Sequence, residues 1–366
     1  MHRQFERLER FGAYSNSQTR GISLRVLCLF GVFKMEFLTA LFLGKAVWIW
    51  LVFIAIVLVL LVLDLGVLHK KNEEIGVAQS LWMSAFYISI ALVYGAWIWF
   101  ELGQTSAIQY YTGFFIEKTL ALDNIFVISL IFTYFAIPRK YQHRVLFWGI
   151  IGVIVLRGIM IALGATLIQQ FDWIMYIFAA FLLLTGVKML LDAIADKEHE
   201  TDLSKNPVLK FLRSRMKVTD ELHGEKFFVQ KPDPKTGKLA RFATPLFLAL
   251  ILVEVADLVF AVDSVPAIFA ITTDPFIVYT SNIFAILGLR ALYFALAAMI
   301  HRFKYLKYSL SIVLIFIGGK VFFNQIFGKL DPIISLVITF VILGAGIVYS
   351  LIKTKDDDST PKPITT

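Results

Sequence analysis

The sequence predicts an all-α polytopic membrane protein of about nine transmembrane helices, six of them arranged as two inverted three-helix repeats. Three observations predict it. Of 366 residues, 58% are hydrophobic and 17% charged, against roughly 45–50% and about 25% in soluble domains. The apolar residues gather in stretches of about 20, the length that crosses a hydrocarbon core of roughly 30 Å. A pattern of charges set inside two of those stretches also recurs further along the chain.

The expected spans are TM1 46–68, TM2 79–101, TM3 113–136, TM4 145–168, TM5 173–194, TM6 244–270, TM7 277–299, TM8 308–327 and TM9 332–352. Their sidedness follows from Lys and Arg in the connections. Arg139, Lys140 and Arg144 follow TM3; Arg302, Lys304 and Lys307 follow TM7; Lys70 and Lys71 follow TM1; Lys353 and Lys355 follow TM9. By alternation these share one side with segment 195–243, which holds eleven Lys and Arg. The opposite connections hold Lys329 alone. The basic side is expected to be cytoplasmic, with the C-terminus inside and the protein in the inner (plasma) membrane. The net charge of +8 is thereby explained by the bilayer rather than by nucleic acid. Residues 1–34 conflict, because their six bases would have to be translocated. A native start at Met35 removes the conflict, and a mobile basic segment outvoted by the later loops is the alternative.

The domain plan is an N-terminal extension 1–45, TM1–TM2 at 46–112, a first repeat 113–194, a cytoplasmic linker 195–243, a second repeat 244–327, and TM9 with its tail at 328–366. In the linker, Pro207 sits early in a short helix. Val208, Leu209, Leu212 and Met216 share one face of it, and Lys210, Arg213 and Lys217 decorate the rest. That pattern suggests a helix lying on the anionic inner leaflet. Two short extended pieces joined by a turn follow, over 227–242.

The repeat is carried by Glu117-Lys-Thr-Leu-Ala-Leu-Asp123-Asn124 and Asp257-Leu-Val-Phe-Ala-Val-Asp263-Ser264, which superpose at an offset of 140. Arg157 then pairs with Arg290, Phe171 with Phe303, and Gly186-Val-Lys188 with Gly318-Gly-Lys320, at 132 or 133. Intramembrane charges are rare, so two ordered sets of them mark a duplication. Three spans per copy make the second copy enter from the opposite side, as in many secondary transporters.

Six acids (Asp64, Glu117, Asp123, Glu254, Asp257, Asp263) and five bases (Lys118, Arg157, Lys188, Arg290, Lys320) lie within spans. Each costs at least ~2.5–3.5 kcal/mol at mid-bilayer if unpaired. They are therefore expected to face the bundle interior and pair with one another or with an ion. The balance leaves one negative charge, which suits a divalent cation held by two or three carboxylates, or a proton shared among acids. Asp257 and Asp263 are six apart, so a regular helix points them about 120° apart. Either they serve two sites or the helix breaks. Pro266 cannot donate to the carbonyl of Val262, and an unwound carbonyl there would add a hard oxygen to Asp263 and Ser264. Asn124 offers an amide oxygen in the first copy. Such ligands suit Mg²⁺, Ca²⁺ and Mn²⁺ rather than Cu(I) or Zn²⁺. The bases read more simply as structural partners of the acids. Asp64 reads equally well as interfacial, and Asn124 and Ser264 as helix–helix hydrogen bonders.

One cysteine, Cys28, excludes a disulfide framework and a thiolate cage. No P-loop occurs, and no HExxH, GxSxG or Ser/His arrangement lies in a span, so no enzymatic activity is expected.

Asp64-Leu-Gly, the Glu117–Asn124 segment and Glu254-Val-Ala-Asp257-Leu-Val-Phe-Ala-Val-Asp263-Ser264-Val-Pro266 resemble the TerC family of integral membrane proteins. The resemblance runs from TM1 to TM9. It implies a place in the lysine-exporter superfamily and export of Mn²⁺, with Asp123 and Asp263 holding the ion, helped by Glu117, Asp257 and Asn124. Proton antiport is expected from the lack of a nucleotide motif, so divalent cations, protons and the bilayer are the expected partners. Ca²⁺ export is an alternative, and a membrane scaffold or insertion factor another, since the family includes such a member.

Overall fold

The computed structural model describes residues 38–66, 76–171, 173–195, 206–232, 238–296, 305–328 and 330–359, without the side chains of Leu65, Leu122, Asp123, Phe126, Arg290 and 355–359. Residues 1–34, Met35 and the 69–71 connection lie outside these. The chain divides into two compact units, Met1–Lys70 and Lys71–Thr366.

The first unit holds a two-residue hairpin, β1 (Leu41–Phe42) and β2 (Lys45–Ala46), and then α1 (Val47–Gly66). Trp50 ties the two together. Its indole N–H donates to the Phe42 carbonyl at 2.9 Å, and its ring meets Phe42 edge-on at 5.6 Å.

The second unit holds α2 (Val77–Leu102), α3 (Gln104–Tyr134), α4 (Arg139–Gln170), α5 (Ile174–Ile194), α6 (Pro207–Arg215), β3 (Phe228–Pro232), β4 (Leu239–Ala243), α7 (Pro245–Phe269), α8 (Pro275–Leu296), α9 (Leu306–Phe327) and α10 (Pro332–Ser359). The fold is mainly helical, and seven described helices are long and apolar enough to cross a membrane: α1, α2, α4, α5, α7, α9 and α10. The other two expected spans, TM3 and TM7, are present as α3 and α8 but do not meet that measure. Glu117, Lys118 and Asp123 stand in the middle of α3, and of α8 the described stretch Pro275–Leu289 is apolar. Both are cores rather than rims. From Phe276 to Leu289, α8 is nearly all buried, packed on α2, α3 and α4, so its surroundings are protein.

Helix ends differ from expectation where polar residues stay helical. TM3 was expected to begin at 113, yet α3 starts at Gln104. Gly103 alone, at φ +89°, separates it from α2, because glycine tolerates that turn at little cost. With 31 residues, α3 is about 46 Å long. Pro266 does not interrupt its helix as expected: α7 runs continuously from Pro245 to Phe269. Pro266 lies three residues from the end, so the helix forfeits one hydrogen bond and gains nothing by unwinding. The interruption anticipated there is absent, although the Val262 carbonyl still lacks its i+4 donor.

The linker is also placed differently from the sequence reading. Asn206 caps α6, accepting from the Val208 and Leu209 amides at 2.9 and 3.4 Å. The apolar stripe of α6 does not lie open for lipid. Leu209 is buried, and Val208 and Leu212 pack with it against Leu146, Leu246 and Phe132. Amphipathic periodicity cannot tell a protein surface from a leaflet, and protein takes this face. The expected turn is a hairpin, β3 pairing antiparallel with β4. Thr244 fixes its base through the Phe227 carbonyl, and Arg144 of α4 reaches Glu225 at 2.9 Å.

Helix pairing in this unit is crossed. The most extensive contacts are α5 with α9, α3 with α8, α2 with α8, and α4 with α7. Gly113 faces Ser281, and Phe132 meets Tyr293 edge-on, so α3 and α8 run parallel. Gly149 faces Val253, and Gly164 faces Phe269, so α4 and α7 do too. In the α5–α9 crossing, Gly186 lies against Ser311 and Ile315, while Gly318 lies against Ala179 and Leu183. Each glycine thus meets, 132 residues away, the counterparts of its partner's neighbours, and the two helices are antiparallel. Small residues let helices approach closely where apolar burial gives no drive.

A methyl at either glycine has no room. At Gly186 it would meet the Ser311 carbonyl at 3.0 Å, and at Gly318 the Ala179 carbonyl at 2.8 Å. Gly186→Ala and Gly318→Ala should each cost about 1–3 kcal/mol of stability and match each other in size, read as thermal unfolding in detergent. Tolerance of both would place the helices further apart than this.

Candidate functional site

Arg157 organises the interior. It sits midway along α4 with 1% exposure. Its Nε and Nη2 donate to Asp257 Oδ2 and Oδ1 of α7 at 3.0 and 2.9 Å, the bidentate fork that suits guanidinium to carboxylate. Its Nη1 donates to Glu117 Oε1 of α3, to Asn282 Oδ1 of α8 at 2.8 Å, and more weakly to Ser264 Oγ at 3.3 Å. One side chain therefore ties four helices.

One positive charge faces two negative ones, so this cluster is net negative. Glu117 Oε2 and the Asn282 amide nitrogen have no hydrogen-bond partner among the described residues. Nor does Oε2 of Glu254, one turn before Asp257 on α7. Its carboxyl rests where a Cβ at Gly152 of α4 would overlap it.

The remaining candidates are dispersed. Asn124 is buried and lines, with Asp257, a small cavity of about 40 Å³. Asp263 points away from Asp257, toward the Thr185 hydroxyl of α5, as a regular helix requires. The side chains of Asp123 and Arg290 lie outside the described residues. Asp64 belongs to α1 in the first unit. Of the other bases, Lys118 donates to the Ala285 carbonyl at 3.2 Å, Lys320 to Ser335 Oγ of α10 at 2.9 Å, and Lys188 is exposed on α5. Arg157 pairs with Glu117 and Asp257, and among the described residues no three His, Cys, Asp or Glu side chains converge in a metal-binding group. Both oxygens of Asp257 are taken. Glu117 Oε2 is unpartnered, so an oxygen-ligated cation here would draw on it, on Asn282 and on Ser264, and would compete with the guanidinium for Asp257.

Sequence reading did not single out Asn282. It has no mate in the first copy, where position 149 is glycine. The signal available was an amide placed in an otherwise apolar span.

Larger spaces flank the cluster. At the end remote from the linker, a cavity of about 980 Å³ is lined by Gln109, Thr112, Thr272, Lys320 and Asp331 among others. At the linker end a polar cavity of about 170 Å³ is lined by Ser129, Thr133, Arg139, Gln142, Tyr293 and Phe294.

A bundle of long apolar helices closed around an ionic core defines an integral polytopic membrane protein. The sequence model described as "Integral membrane protein TerC family" matches residues 102–358, so the chain belongs to the TerC family. That match begins after α2. It is 51% identical over 305 residues to an "Uncharacterized membrane protein" of Rickettsia bellii, covering 83% of this chain and 97% of that one. It is 45% identical over 318 residues to "Uncharacterized membrane protein STKORF319" of Myxococcus xanthus, covering 86% and 96%. It is 49% identical over 268 residues to the "Putative membrane-bound redox modulator Alx" of Escherichia coli K12, covering 71% and 80%. No solved structure matches.

Removing one partner of a buried ion pair strands the others, at about 3–5 kcal/mol. Arg157→Ala should therefore destabilise the protein by about that amount in detergent unfolding. Neutralising both acids in the same chain (Glu117→Gln, Asp257→Asn) should restore most of it. Arg157→Lys should rescue little, because an ammonium cannot serve both oxygens of Asp257 and Glu117 together.

Proposed function

We propose that this protein exports Mn²⁺ from the cytoplasm across the inner membrane by proton antiport, with divalent-cation export more broadly, Ca²⁺ included, as the alternative. One observation carries the reading. A single buried cation, Arg157, is held by acids from α3 and α7, the first helices of the two copies, and the cluster remains net negative. A seat built for one cation at the junction of two halves is what an exchanger needs, with the guanidinium standing in when no ion is bound.

The rest of the reading is consistent with this. Counting α3 and α8, whose polar residues are shielded by protein, gives nine spans. The crossed pairings and the reciprocal glycines at an offset of 132 are the contacts expected of two copies related by a two-fold axis in the membrane plane. Carboxylate, amide and hydroxyl oxygens favour Mn²⁺, Mg²⁺ or Ca²⁺, and the family resemblance points to Mn²⁺ among them. The basic connections place the linker and C-terminus in the cytoplasm. Asp123 and Asp263 act in this reading as further ion or proton stations beyond the Arg157 cluster. The name borne by the Escherichia coli relative points to redox modulation. The chain's one cysteine supplies no dithiol, so we favour ion movement over thiol chemistry, and propose no enzymatic role.

Proteoliposomes loaded at acidic pH should accumulate Mn²⁺ against its gradient, with Ca²⁺ run beside it. Asp257→Asn and Glu117→Gln should each lower the initial rate at least about tenfold, a transition-state cost of roughly 1.4 kcal/mol or more. In cells, Asp123→Asn and Asp263→Asn should raise Mn content. Absence of any pH-driven flux of either ion overturns the reading and leaves a scaffold role.

A further inference from the structure

The two spaces at the linker end are separate, and one side chain lies between them. Tyr293 of α8 lines both the small cavity beside Asn124 and Asp257 and the polar cavity with Arg139 and Gln142. It is 3% exposed. Its ring stands edge-on against Phe132 of α3 at 5.7 Å. Its hydroxyl donates to Gln142 Oε1 of α4 at 3.2 Å and also meets the Ser129 hydroxyl of α3. One residue of α8 thus closes the gap to both α3 and α4.

The closure is held lightly. Gln142 is pre-set, because its amide nitrogen donates to the Ile137 carbonyl at 2.9 Å and so turns its oxygen toward Tyr293. A neutral hydrogen bond of this kind contributes only about 0.5–1.5 kcal/mol net, and a tyrosine ring swings about two rotatable bonds. The inner cavity of about 40 Å³ has room for about three waters, and of its lining residues only Tyr293 also lines the polar cavity. Arg139 on the linker side does not concentrate cations there, so passage is set by the ring rather than by attraction.

The opposite end is wide. The cavity of about 980 Å³ reaches Thr112, five residues before Glu117 and so about 7.5 Å along α3. A wide cavity thus lies on the side remote from the linker, and on the linker side the Tyr293 ring stands between two smaller ones.

We propose that Tyr293, latched by Gln142, is the inner gate of the path, closed here, and that it controls access of a hydrated divalent cation to Asp257 from the linker side. The cargo rests on the function proposed above; the gate itself rests on geometry and is tested without any ion.

In a Cys28→Ser background, which removes the chain's one cysteine, Ile128→Cys places a thiol in the inner cavity. A charged, membrane-impermeant methanethiosulfonate is applied to everted vesicles, which expose the linker side. Labelling should be slow with Tyr293 in place. Tyr293→Ala should accelerate it at least about tenfold (roughly 1.4 kcal/mol). Tyr293→Phe, which keeps the ring and loses both hydroxyl bonds, should accelerate it a few-fold, and Gln142→Ala, which leaves the Ser129 bond, by no more than that. Gln109→Cys, in the wide cavity, should label rapidly from the opposite side in right-side-out vesicles in every variant, which confirms that each has folded. Fast labelling of Ile128→Cys with Tyr293 present overturns the proposal. So does an unchanged rate in Tyr293→Ala while Gln109→Cys labels normally. A chain that moves no Mn²⁺ but shows this pattern refutes the exporter and keeps the gate.

Discussion

The fold of the second unit depends on how a guanidinium is accommodated at mid-membrane depth. Arg157 cannot lose its proton and cannot reach water, so its donors must all find oxygen within the protein. The solution draws one carboxylate from α3, one from α7, and neutral oxygens from α7 and α8. That requirement fixes the rotation of four helices about their axes at once. It also accounts for the enclosure of α8, which is nearly all buried from Phe276 to Leu289.

The same constraint sorts the other charges. Once Arg157 satisfies Glu117 and Asp257, Lys118 and Lys320 turn to neutral oxygens, and Glu254 is left against a glycine face of α4 without a base. An uncompensated carboxyl at that depth is costly unless neutralised by a proton or an ion. The charge imbalance counted along the sequence thus becomes localised around one turn of α7.

Much of this was legible beforehand, for a physical reason. Charged residues inside apolar stretches are few, so Glu117, Arg157 and Asp257 announce themselves, and the duplication puts acid opposite acid. The geometry of a regular helix also separates Asp257 from Asp263 without any structure. Other features carry no such signal. Tyr293 is one of 13 tyrosines, and nothing in its neighbours marks it as standing between two cavities. Asn282 has no counterpart in the first copy. Pro266 misleads because a proline has the same chemistry wherever it falls, while its effect depends on how near the helix end lies. The stripe on α6 misleads because an apolar face specifies a dry neighbour and not which one.

The reciprocal crossing of α5 and α9 has a mechanical consequence. Two helices that meet through a glycine on each, with Ile315 and Leu183 seated against those glycines, approach most closely at one point, and such a joint tilts more readily than it slides. A tilt of about 10° at such a fulcrum displaces a point ten residues away, about 15 Å along the axis, by roughly 2.6 Å. That lever arm is enough to pinch one mouth of the bundle while widening the other, with no bond at the pivot broken.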